Sequence, residues 1–403
     1  MKTSFVNVRS NSTAPIRAWY KGLVAAGIVW LGLLWGVPAA KQSLVFYESG
    51  AAAFWDYRLP QTCVASEKVY EPQGMSRVDA PYPAFGYVVA KAFPADVLKG
   101  GMLFTTFSLL VFLWGVWLFA RDGWAMAAAV FMSPVLHAIG VGNQIVLTLG
   151  GVLVFLAWKD ERGWKKGVAF FALAAAAALK IVPAAFGLTL VKERRWRDCV
   201  LLAVIGAVLM FVPFAWIGGT DGFAAFLQNV RLHSEHYGPL GRYGFVPFDR
   251  SLRLLAGLPK ESVQATFWID RALNLALGLA CLWRWWRTRD RAEALLMLAA
   301  VILLLPSVTQ FYSAMYVLPA VLLGNGVCAD RRFGTAKALL LFAALCPLQI
   351  PFANGGLSML VTNGALLVLF ALSLMHRPRY SALEKEKVVL GGRTSWSCPN
   401  CQK

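Results

Sequence analysis

Gly167-VAFFALAAAAAL-Lys180-IV-Pro183-AAFGLTL-Val191 is a 25-residue run, apolar but for a lysine near its middle, bounded by Lys165-Lys166 and Lys192-Glu193-Arg194-Arg195. Its length suits a membrane span, yet an ammonium at membrane depth is costly and marks a functional position. Pro183 lacks the N–H that a continuous helix would use there. The run therefore predicts two half-helices, Gly167 to Leu179 and Ile181 to Val191, broken around Lys180-Ile181-Val182-Pro183. Each half is about 17–20 Å long, against a hydrocarbon layer of about 30 Å. Irregular backbone at that depth is tolerated only beside protein or a water-filled cavity. Lys180 then has two readings: an ammonium that snorkels to an interface from a helix end, or an anion site for a phosphate-bearing substrate.

The remainder of the 403-residue chain has a membrane composition. Hydrophobic residues make up 58% and charged residues 15%, mean hydropathy is +0.57, and apolar stretches recur from Gly22 to Met375. Candidate spans are 21–39, 101–119, 124–139, 143–158, the broken 167–191, 199–217, 264–284, 292–306, 311–324, 336–349 and 357–375. This predicts an all-α polytopic fold in a single membrane domain, residues 1–375, with a flexible cytoplasmic tail over 376–403. No small-residue cleavage site follows the first apolar segment, which reads as a retained span.

A net charge of +18 invites comparison with nucleic-acid binders, but its distribution argues otherwise. The segments 1–21, 121–122, 159–166, 192–198, 284–293, 330–337 and 376–403 hold 26 of the 39 Lys and Arg residues. The long connections 40–82 and 219–262 together hold nine basic and nine acidic residues. That asymmetry follows the positive-inside rule: both termini are expected in the cytoplasm and both long loops on the opposite side. No folded surface gathers the basic residues, so nucleic acid is not an expected partner.

The outward loops carry the chemistry-bearing residues. Loop 40–82 contains Glu48, Asp56, Glu67, Glu71 and Asp79 among seven aromatics. Its first part, Ser43 to Tyr57, has apolar residues at helical spacing and predicts an interfacial helix on which Glu48 and Asp56, two turns apart, share a face. For any one of these acids the commoner reading is a solvated loop charge, and for the aromatics membrane anchoring. Loop 219–262 mixes Arg231, His233, Glu235, His236, Tyr237, Arg242, Asp249 and Arg250 with glycines, which suits closure over a polar, anionic ligand. The His233-x-x-His236 pair with Glu235 is weak evidence for a metal, and no D-x-D pair in the outer loops demands one. Asn143 and Gln144 read either as hydrogen-bonding groups for sugar or phosphate or as a polar helix start.

Seven cysteines add little: Cys63 is the lone one in an outer loop, and Cys398 and Cys401 form half of a zinc or redox motif.

A series of segments resembles glycosyltransferase family 87, polyprenol-phosphate-mannose-dependent proteins of the GT-C class. Gly142-Asn-Gln-Ile-Val-Leu, the basic turn Lys159 to Lys166, Ala-Ala-Leu-Lys180-Ile-Val-Pro183 and Glu193-Arg-Arg-Trp196-Arg are similar to its central signature. Asp249-Arg-Ser251-Leu252 is similar to its N-Q-S-L segment, and Leu305-Pro306-Ser-Val-Thr-Gln310-Phe-Tyr312 to its S-P-x-S-W-x-H-Y segment. The order agrees over about residues 40–325. Two departures stand out. Where the family places its catalytic aspartate in D-x-x-x-Y, Tyr47 matches the tyrosine and Ser43 occupies the aspartate position; Phe311 replaces the histidine before Tyr312. Glu48 is the nearest substitute base, with Asp56 and Asp79 as fallbacks.

The resemblance implies a GT-C-type bundle of about 10–12 transmembrane or half-membrane helices with interfacial helices in its outer loops. It further implies transfer of mannose or a related sugar from a polyprenyl-phosphate donor to an extracytoplasmic hydroxyl, with inversion. Lys180, His236, Arg242 and Arg250 would hold the donor phosphate, and Tyr47, Asn143, Gln144, Asp249, Gln310 and Tyr312 the substrates. No cofactor is required, and a divalent metal stays open. Partners are the lipid donor, the bilayer and a glycan, glycolipid or protein acceptor, in a plasma (inner) membrane or, by the same physics, an endoplasmic-reticulum membrane. The alternative is a transporter or flippase for a lipid-linked or anionic solute, which also uses broken helices and intramembrane charge. Against it, no internal repeat pairs a second broken helix with 167–191. A third reading is an assembly protein with degenerate chemistry.

Overall fold

A computed structural model of the chain describes residues 14–36, 54–66, 68–71, 76–237, 243–258, 262–306, 309–323, 334–346 and 355–375, all helix, turn or irregular backbone. Helix α1 (Ala14–Gly36) is followed by α2 (Trp55–Ala65), α3 (Ala84–Lys91) and α4 (Val97–Ala120). Asp96 opens α4 by accepting the Lys99 N–H, and Asp122 likewise opens α5 (Gly123–Val130) through Trp124 and Ala125. Then come α6 (Ser133–Gly140), α7 (Ile145–Trp158), α8 (Trp164–Leu179), α9 (Leu188–Lys192) and α10 (Trp196–Phe211). The chain continues through α11 (Gly219–Tyr237), α12 (Phe245–Leu255), α13 (Ser262–Arg287) and α14 (Arg291–Leu304). It closes with α15 (Leu318–Leu322), α16 (Gly334–Leu345) and α17 (Gly355–Met375).

The break that the opening stretch predicts is present. Helix α8 stops at Leu179, and Lys180 is extended, with φ −144° and ψ 123°. The second half differs from the α-helix expected over Ile181 to Val191: it is a 3-10 turn, Val182–Gly187, running into the single α-turn of α9. Pro183 has no N–H to return to Leu179, and the chain takes the tighter pattern, Ala184 N–H to Ile181 O at 3.0 Å. The predicted span 124–139 is also broken, bent by 59° between α5 and α6 where Pro134 sits in the first turn of α6. Residues 219–262, expected as a loop, are largely the helices α11 and α12, because Phe223, Phe226 and Val230 lie at helical spacing and pack on Tyr70, Phe214 and Ile217.

Helix α7 is the centre of the bundle. It is apolar all round and buried along nearly its whole length, with α4 and α8 against its sides. Two adjacent glycines allow this. A Cβ on Gly150 would stand 2.9 Å from the Phe112 backbone in α4, and one on Gly151 2.7 Å from the Ala172 carbonyl in α8. Small residues at helix contacts replace the hydrophobic driving force that lipid cannot supply. The buried helix α14 and its neighbours α13 and α15 complete this core. At the edge the pattern inverts. Helix α10 has no buried residue and exposes Val200, Leu201, Val204, Val208 and Phe211, surface that a hydrocarbon layer satisfies. Val97–Ala120 and Trp196–Ala215 are long and apolar enough to cross a membrane, and the bent α5–α6 pair makes a third if it is one span.

Candidate functional site

The site is assembled where the chain entering α2 meets the turn between α6 and α7. Phe54 N–H donates to Gly140 O at 3.1 Å and Asp56 N–H to Val141 O at 2.9 Å. Gly142 is required beneath this contact. Its φ is +67°, and a Cβ there would come within 3.0 Å of Tyr57 Cβ and 3.2 Å of the Phe54 ring. Phe54 is itself left-handed, at φ +59°, a conformation costing about 1 kcal/mol or more for a non-glycine residue. The two backbone hydrogen bonds hold it, and together they deliver the Asp56 side chain to Asn143.

Asn143 is the hub. Its Nδ2 donates to Asp56 Oδ2, and its Oδ1 accepts from Lys180 Nζ and from Ile145 N–H, both at 2.8 Å. Lys180 Nζ lies 4.7 Å from the centre of the Tyr312 ring. His137 stacks on that ring, centroids 6.1 Å apart. Lys180 thus turns inward at the helix break instead of snorkelling. Asp56 lies deep in the molecule yet keeps part of its surface open. Burial pushes its carboxyl above the usual range, opposed by the Asn143 N–H and the Lys180 charge.

Beside this group stands a second one, built on one face of α11. Asn229, His233 and Tyr237 repeat at four-residue spacing and all grip the 70–80 segment. Asn229 Nδ2 donates to Tyr70 O at 2.8 Å and Ala80 O at 3.3 Å; His233 Nδ1 is 2.8 Å from Val78 O. Tyr237 donates to Asp79 Oδ1 at 3.0 Å. Burial keeps the His233 imidazole below its ordinary value, so it is neutral at pH 7 and its Nδ1 carries the proton. Tyr82 is within electrostatic reach of both Asp56 and Asp79, and Lys180 of His233, so the two groups form one region. Asn229 was not among the sequence candidates; the polar stripe Asn229-His233-Tyr237 within an otherwise apolar helical face was its signal.

The other sequence candidates are more scattered. Glu48, Tyr47 and Arg242 lie outside the described residues, as does most of the expected helix Ser43 to Tyr57; the helix described there begins at Trp55 and runs on to Ala65. Asp249 accepts from Arg253 Nε at 2.6 Å and from Thr266 at 2.8 Å, which ties α12 to α13, and its neighbour Arg250 is half-buried. Gln310 caps the 3-10 turn Phe311–Val317 in a box with Ser313. His236 is exposed and stands edge-on to Tyr237, centroids 4.7 Å apart. Gln144 is buried next to Gly86 of α3, and its Oε1 accepts no hydrogen bond among the described residues. Among those residues no group of three or more His, Cys, Asp or Glu forms a metal cradle.

A helical membrane protein with a carboxylate and an ammonium held together at a helix break is equipped for displacement at a charged ester: one group takes a proton, the other stabilises a leaving anion. The sequence profile of glycosyltransferase family 87 matches residues 81–309, more than half of the chain, and the protein belongs to that family. The matched part contains Asn143 and Lys180 and begins after Asp56. No curated protein and no solved structure matches the chain.

Proposed function

We propose that the protein moves a sugar, mannose or a related one, from a polyprenyl-phosphate donor to an extracytoplasmic acceptor hydroxyl with inversion, and that Asp56 is the base. The observation that carries this reading is the Asp56–Asn143–Lys180 group, with Asp56 Oδ1 accepting no hydrogen bond among the described residues. Of the two acids weighed from sequence that lie among the described residues, Asp56 and Asp79, Asp56 is the one whose carboxyl meets the Lys180 network. Its raised proton affinity suits a base better than that of a solvated carboxylate, since proton-transfer efficiency peaks near the working pH.

In the proposed step Asp56 removes the proton of the acceptor hydroxyl as that oxygen attacks the anomeric carbon. The bond from the anomeric carbon to the phosphate oxygen breaks, and its electron pair leaves with the lipid phosphate. Lys180 stabilises the departing anion, and one displacement inverts the anomeric centre. Gln144, with its buried free Oε1, offers an acceptor to a sugar hydroxyl. Asp79 and Tyr237 border the acceptor side, and His236, Arg242 and Arg250 are the further cations proposed for the donor phosphate. The charge asymmetry of the chain supports the outward placement.

The test is incubation of purified full-length protein with a panel of polyprenyl-phosphate sugars and membrane glycolipid acceptors, with the anomeric configuration of the product read by NMR. Transfer with inversion, abolished in Asp56→Asn, is expected. Retained configuration, or full transfer by Asp56→Asn, would overturn the assignment.

A further inference from the structure

A buried carboxylate and a buried ammonium in one site would ordinarily close into an ion pair, because each lacks water and each is the other's best partner. Here no direct ion pair joins Asp56 and Lys180, and the Asn143 amide stands between them. Its orientation follows from the partners: only with Nδ2 toward the carboxylate and Oδ1 toward the ammonium and the Ile145 N–H are all three satisfied. Oδ1 uses both lone pairs on Lys180 and Ile145, and Nδ2 donates to Asp56. The side chain is 3% exposed, and its three hydrogen bonds are all made inside the protein.

We infer that Asn143 is a positioning residue, not a substrate ligand: its amide holds the base and the phosphate-binding lysine in one site while keeping them from neutralising each other. The inference rests on the proposed roles of Asp56 and Lys180 and deepens them. A direct pair would occupy the carboxylate oxygens that must accept a proton and the ammonium hydrogens that must meet a phosphate. The amide lets each group keep its charge through one bond and leaves Asp56 Oδ1 and the remaining Lys180 hydrogens for substrates. The register is set locally, since Asn143 is pinned by the first turn of α7 through its hydrogen bond from Ile145 N–H and by the left-handed Gly142 before it.

The test reads the protonation of Asp56 directly, so it needs no donor. Infrared titration of the full-length protein isolates the Asp56 carboxyl band as the one lost in Asp56→Asn. The titratable and charged groups facing Asp56 are Lys180 at the helix break, Tyr82 before α3, Tyr237 of α11 and Tyr312 of the 3-10 turn. All are retained in Asn143→Leu, which keeps the branching at Cγ and cannot hydrogen-bond. Loss of the N–H donor is expected to raise the proton affinity of Asp56 about tenfold, while Asn143→Gln, with its amide kept, moves it less. A fall would report Lys180 closing onto the carboxylate, the collapse that the amide prevents. An unchanged midpoint in Asn143→Leu, with the protein still folded by its melting curve, would overturn the inference. The underlying reading fails separately, if Asp56→Asn transfers sugar at the wild-type rate. With an active donor, Asn143→Leu should lower kcat with little change in KM; a raised KM alone would return Asn143 to the substrate ligands.

Discussion

The two ends of α7 treat charge in opposite ways. At its N-terminal end, Asp56 and Lys180 share a site through an amide and do not touch. At its C-terminal end, about 21 Å away for 14 residues of helix, charges are paired directly. There Lys159, 3% exposed, meets Glu193, and Arg195 meets Asp160 and Asp198, with Lys166 on Asp198 at 2.6 Å. Nearby Arg284 and Glu293 pair at 2.6 Å, and Thr288 adds a hydroxyl to the same carboxylate. Direct pairing satisfies buried ions and ties α8, α9, α10, α13 and α14 together; it also leaves them nothing to offer a ligand. Lysine at the helix C-terminus further suits the helix dipole. Under the proposed mechanism, the charges kept apart are the ones that act on substrates, and the charges closed up tie helices together.

The sharpest way to break this contrast is to neutralise the separated pair. Asp56→Asn should lower kcat on the order of a thousandfold with a near-normal melting temperature, as measured by sugar transfer and thermal unfolding in detergent. Lys180→Met comes next: on the order of a hundredfold in kcat, with weaker donor binding. Its stability should hold or rise, because a buried ammonium is replaced by an apolar chain of similar length.

The paired end should respond the other way. Glu293→Ala leaves Arg284 buried without its main partner and should cost about 3 kcal/mol of stability, seen as a lower unfolding temperature. Turnover per folded molecule should stay within about twofold, as expected for a distant site. If turnover falls as steeply as in Asp56→Asn, the division between the two ends is wrong.

The smallest effect concerns pH on the site side. Burial lowers the His233 proton affinity below its ordinary value of 6.5, so an unfolded chain takes up the proton first. The stability contributed by the neutral imidazole is therefore full above about 6.5 and declines as pH falls below it. His233→Gln keeps a donor for Val78 O and removes the titration. The melting temperature of the variant should fall less than that of wild type between about pH 7 and 5, a difference of about 1 kcal/mol or less.

Much of this was legible in the chain. The cost of an ammonium within an apolar run, with proline close behind, located the break at Lys180 to the residue. Glycosyltransferase family 87 could be read from motif order. Less legible was which acid serves Lys180. Asp56 reaches Asn143, 87 residues away in sequence, while Glu48, which follows the family-like tyrosine, lies outside the described residues. The straight span at 124–139 and the loop at 219–262 were misread for a related reason. The first is bent where Pro134 opens α6, and the second is helical because it packs on an apolar surface made by Tyr70, Phe214 and Ile217, residues outside its own local pattern.

By itself the sequence determined the membrane class, the helical periodicity, the charge asymmetry and the broken run, because each follows from the transfer cost of side chains or from local backbone chemistry. Only the tertiary structure decided that Lys180 meets Asn143 across 37 residues and Asp56 across the same amide, and that Lys159 is closed by Glu193. Those are long-range hydrogen bonds between short side chains, and their partners are chosen by helix packing at Gly142, Gly150 and Gly151, where the absence of a Cβ sets how closely the elements approach.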